Sequence, residues 1–90
     1  MYSIVFTESY IKRAKKFFSK NPEVIAQYEK ALKLLQLNPA HPSLMLHKLG
    51  GKLSGLFSVS INITYRITVV LIIKDKKIIP VDIRKHEHVY

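Results

Sequence analysis

The sequence contains no cysteine, so neither a disulfide bond nor a thiolate metal ligand is available to it. This fits a reducing compartment. Long hydrophobic runs are also missing: the stretch from Ile67 to Ile73 is interrupted by Thr68 and is far shorter than the roughly 20 residues of a membrane-spanning helix. The N-terminal segment MYSIVFTESY lacks the basic and then apolar regions of a signal peptide. We therefore expect a cytoplasmic protein that makes no membrane contact.

Several sequence patterns of cofactor and metal sites are missing as well. No glycine-rich loop stands between a predicted strand and a predicted helix, which argues against nucleotide binding of the P-loop or dinucleotide type. The six acidic residues form no cluster, which argues against a two-metal nuclease. His86 and His88 lie two positions apart, but this pair alone is a weak pattern for a metal site. We expect neither a metal nor another cofactor.

Positive charge is the first functional indication. Fifteen Lys and Arg residues against six Asp and Glu residues give a net charge of +9. The excess is not confined to a tail, because residues 1–40 carry seven basic and three acidic groups and residues 41–90 carry eight and three. A folded domain with this surplus attracts polyanions, of which nucleic acid is the commonest in the cytosol. An acidic protein partner would satisfy the same field.

The first half of the chain predicts one strand and two helices. Tyr2 to Phe6 is a short apolar, β-branched run typical of a strand. Thr7 suits a helix N-cap, and Asn21 with Pro22 suits the start of a second helix. Apolar residues recur at helical spacing in both segments. In the first they are Tyr10, Ile11, Ala14, Phe17 and Phe18; in the second they are Val24, Ile25, Tyr28, Ala31, Leu32 and Leu35.

The second half predicts three strands. Residues 57–62 alternate between apolar and polar, as in a half-buried strand, and the chain turns near 62–64. Tyr65 to Ile73 reads as a central strand, and Ile78 to Ile83 as a last strand in which Pro80 favours a sheet edge. We expect residues 1–90 to form a single α+β domain of order β-α-α-β-β-β. In it a two-helix hairpin packs on one face of a mostly antiparallel sheet, and the other face is open to a ligand.

Histidine and arginine among basic residues are sufficient for RNA cleavage without a metal. The substrate supplies its own nucleophile, the ribose 2′-OH, so the protein must supply a cation for the phosphate and a proton donor for the leaving oxygen. Arg66 suits the phosphate and His86 suits the proton transfer. Tyr90 could stack on a base, and His47, which begins an extended segment, could face the same groove. The alternative for Arg66 is a solvated or salt-bridged arginine at a strand end, and the alternative for His86 is an exposed tail histidine.

The sequence resembles the toxins of type II toxin–antitoxin systems in the RelE/ParE superfamily, in particular the RelE-like mRNA interferases. The resemblance rests on the segment HPSLMLHKLGGKLSGLFSVSINITYRI, at 41–67, and on the ending VDIRKHEHVY, at 81–90, and it covers nearly the whole chain. Within these, the most specific parts are the loop at 41–44, the steps at 47–49 and 65–67, and the terminal His-x-x-Val-Tyr at 86–90.

The resemblance implies a RelE-like fold and an enzyme that cleaves mRNA in the ribosomal A site without a metal until a cognate antitoxin blocks it. By position, Arg66 matches the arginine on the scissile phosphate, His86 the C-terminal histidine that acts as general acid in the related branch, and Tyr90 the terminal aromatic residue. His47 matches a histidine of one branch. The cationic residues expected to bind RNA are Lys48, Lys52, Arg84 and Lys85 near these positions and Lys12, Arg13, Lys15 and Lys16 on the first helix.

Two departures from the family pattern leave alternatives open. Arg84 stands where the family usually has glycine. An arginine at this position requires a backbone without a positive φ, and it adds a cation beside the proposed acid. No carboxylate near position 47 suits the role of general base, so either His47 acts as the base, or the enzyme relies on positioning and acid catalysis, or its activity is weak. The alternatives are a ParE-like inhibitor that binds DNA gyrase and cleaves nothing, and a weakened homologue retained for antitoxin binding.

Overall fold

A computed structural model describes residues 1–86 of the chain. Over this range two α-helices pack on a five-stranded mixed sheet. The helices are α1 (Glu8–Lys20) and α2 (Ile25–Leu37), and short 3-10 turns lie at Pro22–Val24, Pro42–Leu44 and Gly51–Leu53. The strands are β1 (Ser3–Ile4), β2 (His47–Lys48), β3 (Phe57–Ser60), β4 (Tyr65–Ile72) and β5 (Lys77–Lys85). The sheet order is β1-β5-β4-β3-β2, in which β1 pairs with β5 in parallel and the other neighbours are antiparallel.

This architecture confirms the predicted α+β fold and adds one short strand, β2, to the predicted order. The capping of α1 is as the sequence indicates, because the Thr7 hydroxyl accepts a hydrogen bond from the Tyr10 amide at 3.2 Å. Asn21 and Pro22 begin the 3-10 turn that leads into α2, as predicted, but the Asn21 side chain makes no capping bond to this turn. Its side-chain amide donates instead to the Phe17 carbonyl at 2.9 Å and so ends α1.

The hydrophobic core lies between the helices and one face of the sheet. Ile67 and Val69 of β4 are fully buried there, and Tyr10 and Leu35 contribute the largest buried side chains of the helices. Burying a side chain of this size stabilises the fold by roughly 1.5–3 kcal/mol. No helix within residues 1–86 is both long and apolar enough to cross a bilayer.

The prediction that Pro80 marks a sheet edge is wrong, because β5 lies between β1 and β4. A bulge explains how proline is tolerated there: Thr68 pairs with Asp82 and Val69 with Pro80, so Val81 has no partner in β4. The bulge also turns both Pro80 and Ile83 toward the helices although they are three positions apart.

Pro80 also limits the parallel pairing of β1 with β5. The Ser3 amide donates to the Lys76 carbonyl and the Val5 amide to the Ile78 carbonyl, each at 2.9 Å. The next bond of this ladder would require an amide hydrogen at position 80, which proline lacks. The pairing therefore stops after two residues.

The hydroxyl groups of Tyr10 in α1 and Tyr28 in α2 lie 2.8 Å apart and connect the two helices. Burial, the hydrogen bond to Tyr28 and nearby negative charge all raise the pKa of Tyr10 far above its usual value of 10.0. Burial also raises the pKa of Tyr28, although its bond to Tyr10 acts in the opposite direction. Both residues are thus protonated in the folded state at pH values where an unfolded chain would already ionise them.

We predict that the free energy of unfolding falls as the pH rises above about 10, since only the unfolded state releases these protons. The expected slope is about 1.4 kcal/mol per pH unit for the Tyr10 hydroxyl, to which Tyr28 adds in the same direction, and the stabilisation is fully present below pH 10. Tyr10→Phe should reduce the slope and, by removing a hydrogen bond, cost about 0.5–1.5 kcal/mol at pH 7. Urea denaturation between pH 7 and 11 measures both effects. An unchanged slope in Tyr10→Phe would contradict this assignment.

Candidate functional site

The sheet face opposite the helices is polar. The strand register places Arg66 opposite Ser60 and Arg84, and Thr68 opposite Ser58 and Asp82. Paired residues of antiparallel strands point to the same side, and alternate residues of β4 pack into the core on the other. Serine, threonine, arginine and aspartate side chains therefore line the side of the sheet that the helices leave uncovered.

Arg66 is the centre of this polar face and is only 3% exposed. Its Nε donates a hydrogen bond to Ser58 Oγ at 2.6 Å, and its Nη2 donates to the Met45 carbonyl at 2.7 Å. Ser58 is itself fully buried. Charge-assisted bonds from two different guanidinium nitrogens fix the plane of the group. Arg66 is therefore not the solvated arginine that the alternative interpretation of the sequence describes.

The loop before β2 orients the Met45 carbonyl, which accepts a hydrogen bond from Arg66. His41 Nδ1 accepts a hydrogen bond from the Ser43 amide at 3.2 Å at the start of the Pro42–Leu44 turn, and Leu44 is buried in the core. Met45 then adopts a left-handed backbone with φ of 48°. A non-glycine residue pays about 1–2 kcal/mol for this conformation. The turn therefore holds the Met45 carbonyl over Arg66 while its side chain stays largely exposed.

His86 lies beside Arg66 at the end of the β4–β5 pair. Its amide donates to the Thr64 carbonyl at 2.9 Å, which continues the pairing one step beyond Lys85. A cavity of about 260 Å³ opens at this point. Its lining comprises Met45, Ser60, Asn62, Ile63, Arg66 and His86. A fixed guanidinium and an imidazole thus line one shared space, an arrangement that suits the binding of a phosphate group beside a proton donor.

His47 lies on the same side of the sheet. It pairs with Ser58 in the β2–β3 register, and Ser58 in turn binds Arg66. The structure therefore gathers His47, Arg66 and His86 on one face from three different strands or strand ends. Tyr90, together with His88, lies outside the described residues.

The predicted cations near the site fall into different surroundings. Arg84 lies opposite Arg66, and its Nε is 2.9 Å from Asp82 Oδ2. Its backbone continues β5, and among the described residues only Met45 and Lys76 combine a side chain with a positive φ, so position 84 accepts arginine without strain. Lys85 pairs with Tyr65 and points to the helix side of the sheet, as does Lys48, which pairs with Phe57. Lys52 is exposed in the Gly51–Leu53 turn.

The basic residues of α1 are exposed but lie in the helix layer, on the other side of the sheet from Arg66. This set comprises Lys12, Arg13, Lys15 and Lys16. Arg13 is partly engaged, because its Nη1 donates to the carbonyl of the bulged residue Val81 at 3.1 Å. The structure therefore separates this cationic surface from the polar face and does not bring the two predicted groups together.

Sequence reasoning missed Ser58 and Met45. Ser58 has the spacing of a solvent-facing serine in a half-buried strand, and only the register with β4 indicates that it binds Arg66. No sequence signal points to the Met45 carbonyl, because any residue supplies one. Among residues 1–86, no group of three or more His, Asp or Glu side chains is arranged to hold a metal ion.

The sequence matches no protein-family model and no curated protein. Solved structures are nevertheless similar. YafQ from E. coli strain BL21(DE3) superposes with a TM-score of 0.76 at 15% identity, over 100% of this chain and 99% of that one. The YoeB–YefM complex from Staphylococcus aureus gives a TM-score of 0.72 at 23% identity, over 96% of this chain and 98% of that one. The toxin–antitoxin complex RelBE2 from Mycobacterium tuberculosis gives a TM-score of 0.70 at 18% identity, over 94% of this chain and 98% of that one. The resemblance is thus confirmed at the level of the fold.

We predict that Ser58→Ala lowers the free energy of unfolding by about 1.5–3 kcal/mol, because a buried guanidinium loses an acceptor. Ser60→Ala is the matched control on the same strand and face. The Ser60 hydroxyl donates only to the Asn62 carbonyl, at 2.9 Å, so its loss should cost about 0.5–1.5 kcal/mol. Urea denaturation of both variants measures the difference. Equal costs would contradict the role given to Ser58.

Proposed function

We propose that this protein is a RelE-like toxin of a type II toxin–antitoxin system and cleaves mRNA on the ribosome without a metal. The observation that carries the proposal is the shared cavity where Arg66, held by Ser58 and Met45, faces His86. The fold supports it, since the similar solved structures include toxins and toxin–antitoxin complexes. The net charge of +9 supports a polyanionic substrate.

The proposed reaction is transesterification by the ribose 2′-OH. The 2′-oxygen attacks the adjacent phosphorus, the bond from phosphorus to the 5′-oxygen breaks, and the products end in a 2′,3′-cyclic phosphate and a 5′-OH. Arg66 stabilises the charge that develops on the phosphate oxygens, and His86 donates a proton to the leaving 5′-oxygen. His47 accepts the proton of the 2′-OH. Tyr90 stacks on a base of the substrate, a role that rests on the resemblance alone.

Two partners follow from this proposal. The ribosome presents the mRNA in its A site, and the cationic side chains of α1 contact ribosomal RNA through its phosphates. Their exposure in the helix layer leaves the polar face free to meet the message. A cognate antitoxin silences the protein, and the substrate places the toxin in the cytoplasm. A gyrase inhibitor that only binds would have no use for a fixed arginine and a histidine in one cavity.

We predict that His86→Ala relieves the growth arrest caused by expression of the protein, because the leaving oxygen loses its proton donor. The expected loss in cleavage rate is about 10²–10⁴-fold. Primer extension on mRNA from expressing cells and from a reconstituted translation system, with and without ribosomes, is the measurement. His88→Ala is the matched control, since the resemblance assigns no role to that position. Equal toxicity of wild type and His86→Ala would exclude the catalytic role.

We also predict that a message carrying a single 2′-O-methyl group at the scissile nucleotide resists cleavage, since the blocked oxygen cannot attack. Methylation one nucleotide upstream should leave the rate unchanged and serves as the control. Cleaved unmodified message should carry a cyclic phosphate, detected by end-group mass spectrometry. Cleavage of the blocked message at the normal rate would show that water or another nucleophile attacks instead.

A further inference from the structure

A second cavity opens on the helix side of the sheet, close to the end of β5, and no step of the proposed reaction uses it. Its volume is about 470 Å³, within the range of about 300–1,000 Å³ that is usual for small-molecule sites. It lies where the end of α1 meets the start of β4. Its lining comprises Phe17, Asn21, Tyr65, Ile83, Arg84 and Lys85.

One wall of this cavity is a fixed aromatic pair. The rings of Phe17 and Tyr65 meet edge to face, with centroids 4.9 Å apart and planes at 81°. The Tyr65 hydroxyl donates to Asn21 Oδ1 at 3.3 Å, and Asn21 Nδ2 donates to the Phe17 carbonyl at 2.9 Å. An amide group has two donor hydrogens and two acceptor positions, so Asn21 retains hydrogen-bonding capacity beyond these bonds. A rigid aromatic surface beside a side-chain amide suits an unstacked base.

Positive charge lies at the edge of this wall. Lys85 is directly opposite Tyr65 in the β4–β5 pair and is exposed. Its side chain therefore stands beside the aromatic pair on the same side of the sheet. A lysine at this place supplies a counter-charge for a phosphate whose base rests on Tyr65.

The cavity is linked to the proposed cleavage site through lining residues that neighbouring cavities share. Lys85 and His86, with Ile63 and Thr64, line a further cavity of about 470 Å³ at the tip of the β3–β4 turn. His86 also lines the cavity that contains Arg66. Neighbouring cavities thus share a lining residue at each step, and this order of residues defines a path along the protein surface from Arg66 past His86 and Lys85 to Tyr65.

We propose that the cavity between Phe17, Asn21, Tyr65 and Lys85 binds the second nucleotide on the 3′ side of the cleaved bond of a single-stranded RNA. The direction follows from the chemistry of the proposed function, on which this inference rests. His86 protonates the leaving 5′-oxygen, which belongs to the downstream nucleotide, and the path leads past His86 away from Arg66. The base of this second nucleotide lies against Tyr65, and the phosphate that joins it to the first lies at Lys85.

NMR titration of the full chain with 2′-O-methylated RNA, which binds but cannot react, tests this inference. The probes are a dinucleotide that spans only the cleaved bond and a tetranucleotide with two further nucleotides on the 3′ side. The tetranucleotide should shift the resonances of Asn21, Tyr65 and Lys85, whereas the dinucleotide should shift those around Arg66 and His86 alone. An acidic tetrapeptide tests for binding by charge alone, and equal shifts with this peptide would overturn the proposal.

Tyr65→Leu keeps an apolar side chain but removes the ring, and should raise the Kd of the tetranucleotide about 5-fold or more, since stacking on one base contributes about 1–3 kcal/mol. The Kd of the dinucleotide should not change. Lys85→Gln should also weaken the tetranucleotide, whereas Lys77→Gln, the same change at the other end of β5, should not. An unchanged Kd in both Tyr65→Leu and Lys85→Gln would overturn the subsite.

The two proposals fail in different ways. Shifts at Tyr65 and Asn21 without shifts at Arg66 would support the nucleotide site and contradict the cleavage site. Shifts confined to Arg66 and His86 with both probes would support the cleavage site and contradict the nucleotide site. No shifts with either probe, up to millimolar RNA, would overturn the nucleotide site, while the cleavage of ribosome-bound message would still be decided by His86→Ala.

Discussion

The burial of Arg66 in the middle strand of the sheet is the constraint on which the candidate site depends. Removing a cation from water costs several kcal/mol even after the protein relaxes, so the surroundings must return that energy through hydrogen bonds. Ser58 and the Met45 carbonyl provide such bonds at 2.6 and 2.7 Å. Each lies on a different segment, β3 and the loop before β2. The guanidinium therefore ties three parts of the chain together at the place where a phosphate would bind.

The same constraint explains features that look unfavourable in isolation. Met45 occupies a left-handed conformation without being glycine. Ser58 is a polar residue on the strand face that points away from the hydrophobic core, yet it is fully buried. Both make sense as groups that orient Arg66. Strain of this kind persists where neighbouring structure enforces it, and here the buried Leu44 and the capped turn at Pro42–Leu44 do so.

The sheet also determines which charged residues act together. Arg66, Arg84 and Asp82 share one face, while Lys85 and the basic side chains of α1 belong to the other side. The helix cations and the polar face can therefore engage different parts of a large polyanion. The bulge at Val81 contributes to this division, because it returns Ile83 to the core and leaves Arg84 on the polar face.

Much of this protein was determined by local sequence. The helical spacing of apolar residues predicted α1 and α2, the β-branched run from Tyr65 predicted the central strand, and the residue types of Arg66 and His86 indicated phosphate chemistry. Tertiary structure alone decided that β5 is an internal strand and that Ser58 and Met45 hold Arg66. The physical reason is that periodicity and side-chain chemistry act over a few residues. Strand register, the bulge and the bonds of a buried cation depend on which distant segments meet, and no local pattern specifies that.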